Sequence, residues 1–220
     1  MTARDEILAR VRQGVGRGDF AARRAAAEAA LQAAQRGPQP AIVADPAADL
    51  ASRLRDKAAS LASTVDTVAD WAAAPAAVAR YLVAHELGEA AVATPEVATL
   101  DWAGAGLQVA GRGAEDADRV GISGCFCGIA ETGTLLLLSG AATPATVSLL
   151  PETHIALLAA SRIVATLEDA FALVRAEHGS LPRALNFISG PSRTGDIEQT
   201  IVLGAHGPCR VHLILIGDAS

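Results

Sequence analysis

Aromatic residues are scarce in this chain, 3% of 220 residues, so there is little material for the stacking platforms that hold single-stranded nucleic acid. Basic residues are not in excess either: 18 Lys and Arg stand against 24 Asp and Glu, for a formal charge of -6. That balance favours solubility and disfavours a broad nucleic-acid-binding surface. The three cysteines, Cys125, Cys127 and Cys209, are too few and too irregular for a secreted disulfide framework, which points to a reducing compartment. No stretch approaches the ~18 consecutive apolar residues that mark a membrane span. Residues 1 to 20 carry charge throughout, without the apolar centre of a secretory leader. The expectation is a cytoplasmic location with no membrane span and no nucleic-acid partner.

Familiar cofactor signatures are missing as well. The loops match neither the phosphate-binding pattern GxxxxGK[ST] nor the dinucleotide pattern GxGxxG. Cys125-x-Cys127 lacks the two-residue spacing of thioredoxin-like motifs and the four-cysteine spacing of ferredoxins. No metal site and no intrinsic cofactor are expected. No repeat of solenoid type is present.

What is abundant is small and aliphatic. Hydrophobic residues make up 51% of the chain, and with so few rings the core is expected to be packed by Ala, Val, Leu and Ile. The length suits one domain with a small appendage. Residues 3 to 35 read as helix, broken near Gly14-Val15-Gly16-Arg17-Gly18, and Gly37-Pro38-Gln39-Pro40 reads as a linker. Residues 1–40 are therefore assigned to an N-terminal helical arm and linker, and residues 41–220 to an α/β domain. Self-association through the alanine-rich arm, giving a homo-oligomer, is one expectation for it.

Within the larger part, helical patterns span 47–60, 71–85 and 166–177. Strands are expected at 64–68, 90–93, 107–110, 155–160, 184–188 and 211–216. Ile129-Ala130 and Thr134–Leu138 flank a tight turn, Glu131-Thr132-Gly133, and read as a hairpin. Residues 197–203 suit a short helix, while Thr200–Leu203 would also suit a strand. The alternation predicts a layered α/β fold with a largely parallel or mixed sheet flanked by helices.

Two stretches carry chemistry. In the first, the turn displays Glu131 for nucleophilic, basic or hydrogen-bonding work, with Thr132 and Thr134 able to orient it. In the second, Asn186–Pro208, apolar residues give way to Ser189, Ser192, Arg193, Thr194 and Asp196. Arg193 can clamp a carboxylate or phosphate bidentately, Ser192 and Thr194 can add hydrogen bonds, and Asp196 can orient the guanidinium. His206 can move a proton or hold an anion. His154, after Pro151-Glu152-Thr153, stands at a strand entrance. Each also has a plain structural reading: a turn carboxylate, a core-edge histidine, an Arg–Asp pair inside a loop.

The motifs Gly121-Ile122-Ser123, Ile129–Thr134, Leu150–Ile155, Ser189–Glu198 and Gly204–Pro208 together resemble the LUD domain of the lactate-utilisation C proteins. The resemblance implies a fold like that of the NagB/RpiA/CoA-transferase group. It further implies an accessory or small-anion-binding component of a system that oxidises L-lactate to pyruvate, with two iron–sulfur proteins as partners. The pocket would combine Glu131, Thr132, Thr134, His154, Ser192, Arg193, Thr194, Asp196 and His206 around a small carboxylate or phosphate. Glu131 and His206 are its candidate catalytic groups. Two alternatives stand beside it. One is a CoA-transferase-like or folate cyclo-ligase-like enzyme acting on a small acid, with Glu131 as acyl carrier or Arg193 on phosphate. The other is a structural assembly subunit.

Overall fold

The structure, a computed structural model, describes residues 2–15, 19–33, 35, 37, 49–179, 181–195 and 201–217. The chain divides into two compact units, residues 1–40 and 41–220. The first contains α1 (Ala3–Val15) and α2 (Phe20–Ala33). Residues 16–18, where the sequence placed the break, lie outside the described residues, as do 38–40 of the expected linker.

The second unit is built on a parallel sheet whose strands run through its interior. These are β1 (Thr64–Val68), β2 (Ala90–Ala93), β3 (Gln108–Gly111), β4 (Val120–Gly124), β7 (Thr153–Ala159) and β12 (Arg210–Ile216), in the spatial order β1-β12-β7-β4-β2-β3. Val211–Ile216 and Thr153–Leu158 are buried without alternation, the pattern of strands covered on both faces. One face is covered by α4 (Ala74–Ala84), whose Val78, Tyr81 and Leu82 pack with Ile122, Ile155 and Ile214. The loop after β2 adds Val97, Trp102 and Leu107 to that layer.

The other face carries α3 (Leu50–Ser60) and a second sheet of order β8-β5-β6-β9. Its strands are β5 (Cys127–Ile129), β6 (Thr134–Leu138), β8 (Ile163–Val164) and β9 (Leu185–Ile188). Leu54 and Ala58 of α3 pack with Leu158 and Leu213 from the first sheet and Leu135 and Leu137 from the second. The outer face of the second sheet is closed by α6 (Leu167–His178), through Ala170 and Val174. Both helices start as their sequences dictate. Asp49 accepts hydrogen bonds from the Ala51 and Ser52 amides, and Thr166 and Asp169 form a reciprocal capping box.

Three elements differ from the sequence reading. Val120–Gly124, absent from the expected strands, is a central strand. Its Gly121 is needed because the Val147 carbonyl of α5 (Thr146–Leu149) lies where a β-carbon would sit, a close backbone approach of the kind glycine marks in strands. The Arg193 turn is itself a ribbon: β10 (Arg193–Gly195) pairs antiparallel with β11 (Ile201–Leu203). The strand alternative therefore holds at 201–203, while 196–200 lie outside the described residues. The helical stretch 71–85 divides into a 3₁₀ turn, Trp71–Ala73, and α4, at the point where Pro75 enters.

The expected hairpin forms, β5 against β6. Its turn rests on α3: Gly133 has φ +69°, and a β-carbon there would stand 2.7 Å from the Ala58 amide nitrogen. Gly133→Ala is expected to destabilise the protein by about 2 kcal/mol, from left-handed backbone strain plus overpacking. Urea denaturation checks this, and a change under about 0.5 kcal/mol would show the turn is not pressed on the helix.

Candidate functional site

The two chemistry-bearing stretches meet, and a chain of hydroxyls joins them. Pairing of β6 with β9 sets Leu135 opposite Ile188, which brings the residues just beyond each strand end together. Thr132 Oγ1 lies 2.7 Å from Thr134 Oγ1, and Thr134 Oγ1 lies 2.6 Å from Ser189 Oγ. Gly190, at φ +80°, presses on the Leu61 carbonyl at the end of α3, and Arg193 Nη2 donates to that same carbonyl at 3.3 Å. A helix end thus supplies the common anchor for the turn and for the arginine loop.

Arg193 is exposed. Among the described residues its hydrogen-bond partner is a neutral carbonyl and no ion pair neutralises it. A guanidinium with one of five donors engaged among the described residues can still take a carboxylate or phosphate. Ser192 is fixed by backbone pairing, its amide donating to the Pro208 carbonyl and its carbonyl accepting from the Gly204 amide. Gly207 lies 3.4 Å, by its β-position, from Ser192 Cβ, so the exposed His206 stands on the loop beside Ser192. Thr194 is half-buried in β10, and Glu131 is half-buried with its amide donating to the Ala165 carbonyl. Asp196 lies outside the described residues.

His154 is not with this group on the surface. It is fully buried in β7, with Nε2 2.8 Å from Ser123 Oγ of β4. Burial pulls its pKa down to about 4, so it is a neutral core histidine at physiological pH. The thiols are equally quiet: burial pushes Cys127 up to about 11 and raises Cys125 further. They belong to different packing clusters, Cys125 on the α3 side and Cys127 on the α6 side. Among the described residues no three His, Cys, Asp or Glu groups converge as a metal set.

A crevice away from the Arg193 loop was missed by sequence reasoning. Its volume is about 350 Å³, and it is lined by Trp71, Glu96, Val97, Leu100, Gly124 and Cys125. Thr94 Oγ1 bridges 3.4 Å to Glu96 Oε1 and accepts from the Gly124 amide at 3.4 Å. Partial burial raises the Glu96 pKa, against the opposing pull of hydrogen bonds from Thr94 and Gly124. The available signal was Thr94-Pro95-Glu96, a carboxylate directly beyond the expected strand 90–93.

The sequence profile of the LUD domain matches residues 41–216. Two lactate utilization C proteins align with parts of the chain: one from Geobacillus sp. (strain WCH70), 44% identical over 103 residues, and one from Bacillus subtilis (strain 168), 36% identical over 132 residues. These alignments cover 46% and 54% of this chain and 43% and 55% of the relatives, so the chain spans about half the length of the curated relatives it matches. A crystal structure of a DUF162 family protein from Deinococcus radiodurans has a similar fold. Its TM-score is 0.57 at 24% identity, covering 78% of this chain and 100% of that one.

Proposed function

The chain belongs to the LUD domain family, and from that premise we propose that it serves lactate utilisation by binding the small acid at the Arg193 loop, as an accessory component of the system. The reading is supported by the relatives' names and by one feature above all. Arg193 is an exposed guanidinium without a carboxylate partner among the described residues, held by the Leu61 carbonyl beside a chain of hydroxyls. A 2-hydroxy or 2-oxo acid offers the matching pattern, a carboxylate for the guanidinium and an adjacent oxygen for Ser192, Thr194 or His206. In this reading the two electrons removed when lactate becomes pyruvate pass to iron–sulfur partner proteins, the two protons are released to solvent, and this chain contributes capture and orientation.

Calorimetric titration with L-lactate, pyruvate and phosphate tests the reading. Saturable binding of one of them is expected, weakened ten- to a hundred-fold or so by Arg193→Ala, since a charge-assisted hydrogen bond contributes about 1.5–3 kcal/mol. Arg193→Lys should recover only part of the loss, because an ammonium cannot reproduce a planar two-point clamp. The melting temperature should stay within a few degrees, Arg193 being exposed. Absence of binding to all three acids, or identical affinity in Arg193→Ala, would refute it.

A further inference from the structure

The sheet places the Glu96 crevice where its connections part. After β1 and β2 the chain turns onto the α4 face, where Val97, Trp102 and Leu107 join the packing layer of Val78 and Leu82. After β4 it turns the opposite way, Cys125 packing on the α3 side with Leu54 and Leu158. Strands β2 and β4 are parallel neighbours, paired Val92 to Gly121 and Ala93 to Ile122. Their continuations therefore separate just beyond Thr94 and Gly124, and a cleft opens at the carboxyl ends of the strands. In open parallel sheets such a parting of connections is where ligands bind. The Arg193 loop belongs to the other edge. Leu61 precedes β1, and Pro208 precedes β12, so the cleft is separate from that loop.

The walls of the cleft specify the guest. Trp71 is 40% exposed although it is a large aromatic, and Val97 and Leu100 supply aliphatic surface. Glu96 brings the one formal charge among the lining residues. Its polar neighbours are the Thr94 hydroxyl and the Gly124 amide, and no cation pairs with it among the described residues. A β-carbon at residue 124 would collide with the Glu96 carboxyl, so glycine there lets the carboxyl lie over the strand end. A carboxylate without a counter-ion beside an indole repels carboxylates and attracts a flat or compact nitrogen cation, by a two-point hydrogen bond and by attraction to the aromatic face. At about 350 Å³ the cleft lies near the lower end of the ~300–1,000 Å³ range for small-molecule sites, and suits a guest of roughly ten heavy atoms.

We propose that this cleft is a binding site for a small organic cation of the amidine or amine class, held by Glu96 and Trp71 and separate from the acid-binding loop. The guest's N–H groups donate to the Glu96 carboxylate, and its apolar body lies against Trp71 and Leu100.

Titration of the ¹⁵N-labelled protein with benzamidine, and in parallel with benzoate, tests this. The chain has two tryptophans. Trp102 Nε1 is tied to the Val97 carbonyl at 3.0 Å, so the two indole signals are separable. Expected are saturable shifts of the Trp71 indole and of the Gly124 and Cys125 amides with benzamidine and none with benzoate. Affinity should fall at least about tenfold in Glu96→Gln and several-fold in Trp71→Leu. The rest of each variant's spectrum shows that the fold is retained. No saturable shift at those groups, an equal response to benzoate, or unchanged affinity in Glu96→Gln overturns the proposal. None of these outcomes depends on whether Arg193 binds an acid.

Discussion

Leu54→Ala is expected to lower the stability of the protein by about 3–4 kcal/mol, within the range for truncating a fully buried leucine that the surroundings cannot fill. Leu54 is 0% exposed and is the side chain through which α3 holds both sheets at once. It packs with Leu158 and Leu213 of the six-stranded sheet and with Leu135 and Leu137 of the four-stranded one. Gly128 has no side chain where it faces this leucine: a β-carbon there would stand 2.7 Å from Leu54 Cδ2 and 2.6 Å from Leu158 Cδ2. The gap left by alanine is therefore bounded by backbone on one side and by a strand on the other, and neither collapses readily. At about 2–4 °C per kcal/mol for a chain of this size, the melting temperature should drop by roughly 10 °C. The effect should reach the Arg193 loop, because the same helix ends at the Leu61 carbonyl that anchors Arg193. Thermal and urea unfolding measure the first consequence, and titration with the acid measures the second. A loss under about 1 kcal/mol would show that α3 does not lock the sheets together.

How far the fold could be read in advance follows from where each strand gets its cover. Val211–Ile216 is apolar at every position but His212 and lies between turn signals, and its position was plain from sequence. Val120–Gly124 was not, because Gly121 and Gly124 look like turn residues until α5 and the Glu96 carboxyl are seen lying against them. Local pattern reports what a residue prefers, whereas these glycines are there for what approaches them from elsewhere.

The candidate residues divide the same way. Thr132, Thr134, Ser192, Arg193 and His206 were singled out by chemical type within short stretches. The contact that joins the two stretches, Thr134 with Ser189, depends on β6 pairing with β9 across a separation of 55 residues, which no local spacing reveals. His154 read as a residue at a strand entrance because Pro151-Glu152-Thr153 precedes it. The strand starts two residues sooner than its apolar run, at Thr153, and takes the ring inside. The Glu96 cleft left only the Thr94-Pro95-Glu96 trace in the sequence, for a deeper reason: it is created by strand order, by β2 and β4 lying side by side with their connections leaving to opposite faces.

The buried histidine gives the second large expectation, a loss of stability in mild acid. His154 on one face of the sheet and His212 on the other are each 5% exposed or less, and each has a folded-state pKa of about 4, against an ordinary value of 6.5, chiefly from burial. His212 is stacked on Tyr81 at 3.9 Å and touches Thr64 Oγ1 at 2.8 Å. The nearby Asp66 raises its pKa, while His85 lowers it. In both rings one nitrogen is bonded, and the other, His154 Nδ1 or His212 Nε2, has no partner among the described residues. A proton added there would make a buried donor with nothing to accept it.

Because the folded pKa lies below the unfolded one, the unfolded chain binds more protons between pH 6.5 and 4, and stability falls as pH falls through that window. The contribution is fully present above about pH 7. By pH 4.5 roughly 2–3 kcal/mol is lost for each ring, about 5 kcal/mol for the two together. Urea unfolding at pH 7.5 and 4.5 checks the total. His154→Gln isolates one share of it: whatever the substitution does at pH 7.5, the difference between the two pH values should shrink by about 2–3 kcal/mol, because glutamine does not titrate. If that difference matches the wild-type value, His154 is not the group that acid attacks, and the interior around Ser123 tolerates an imidazolium.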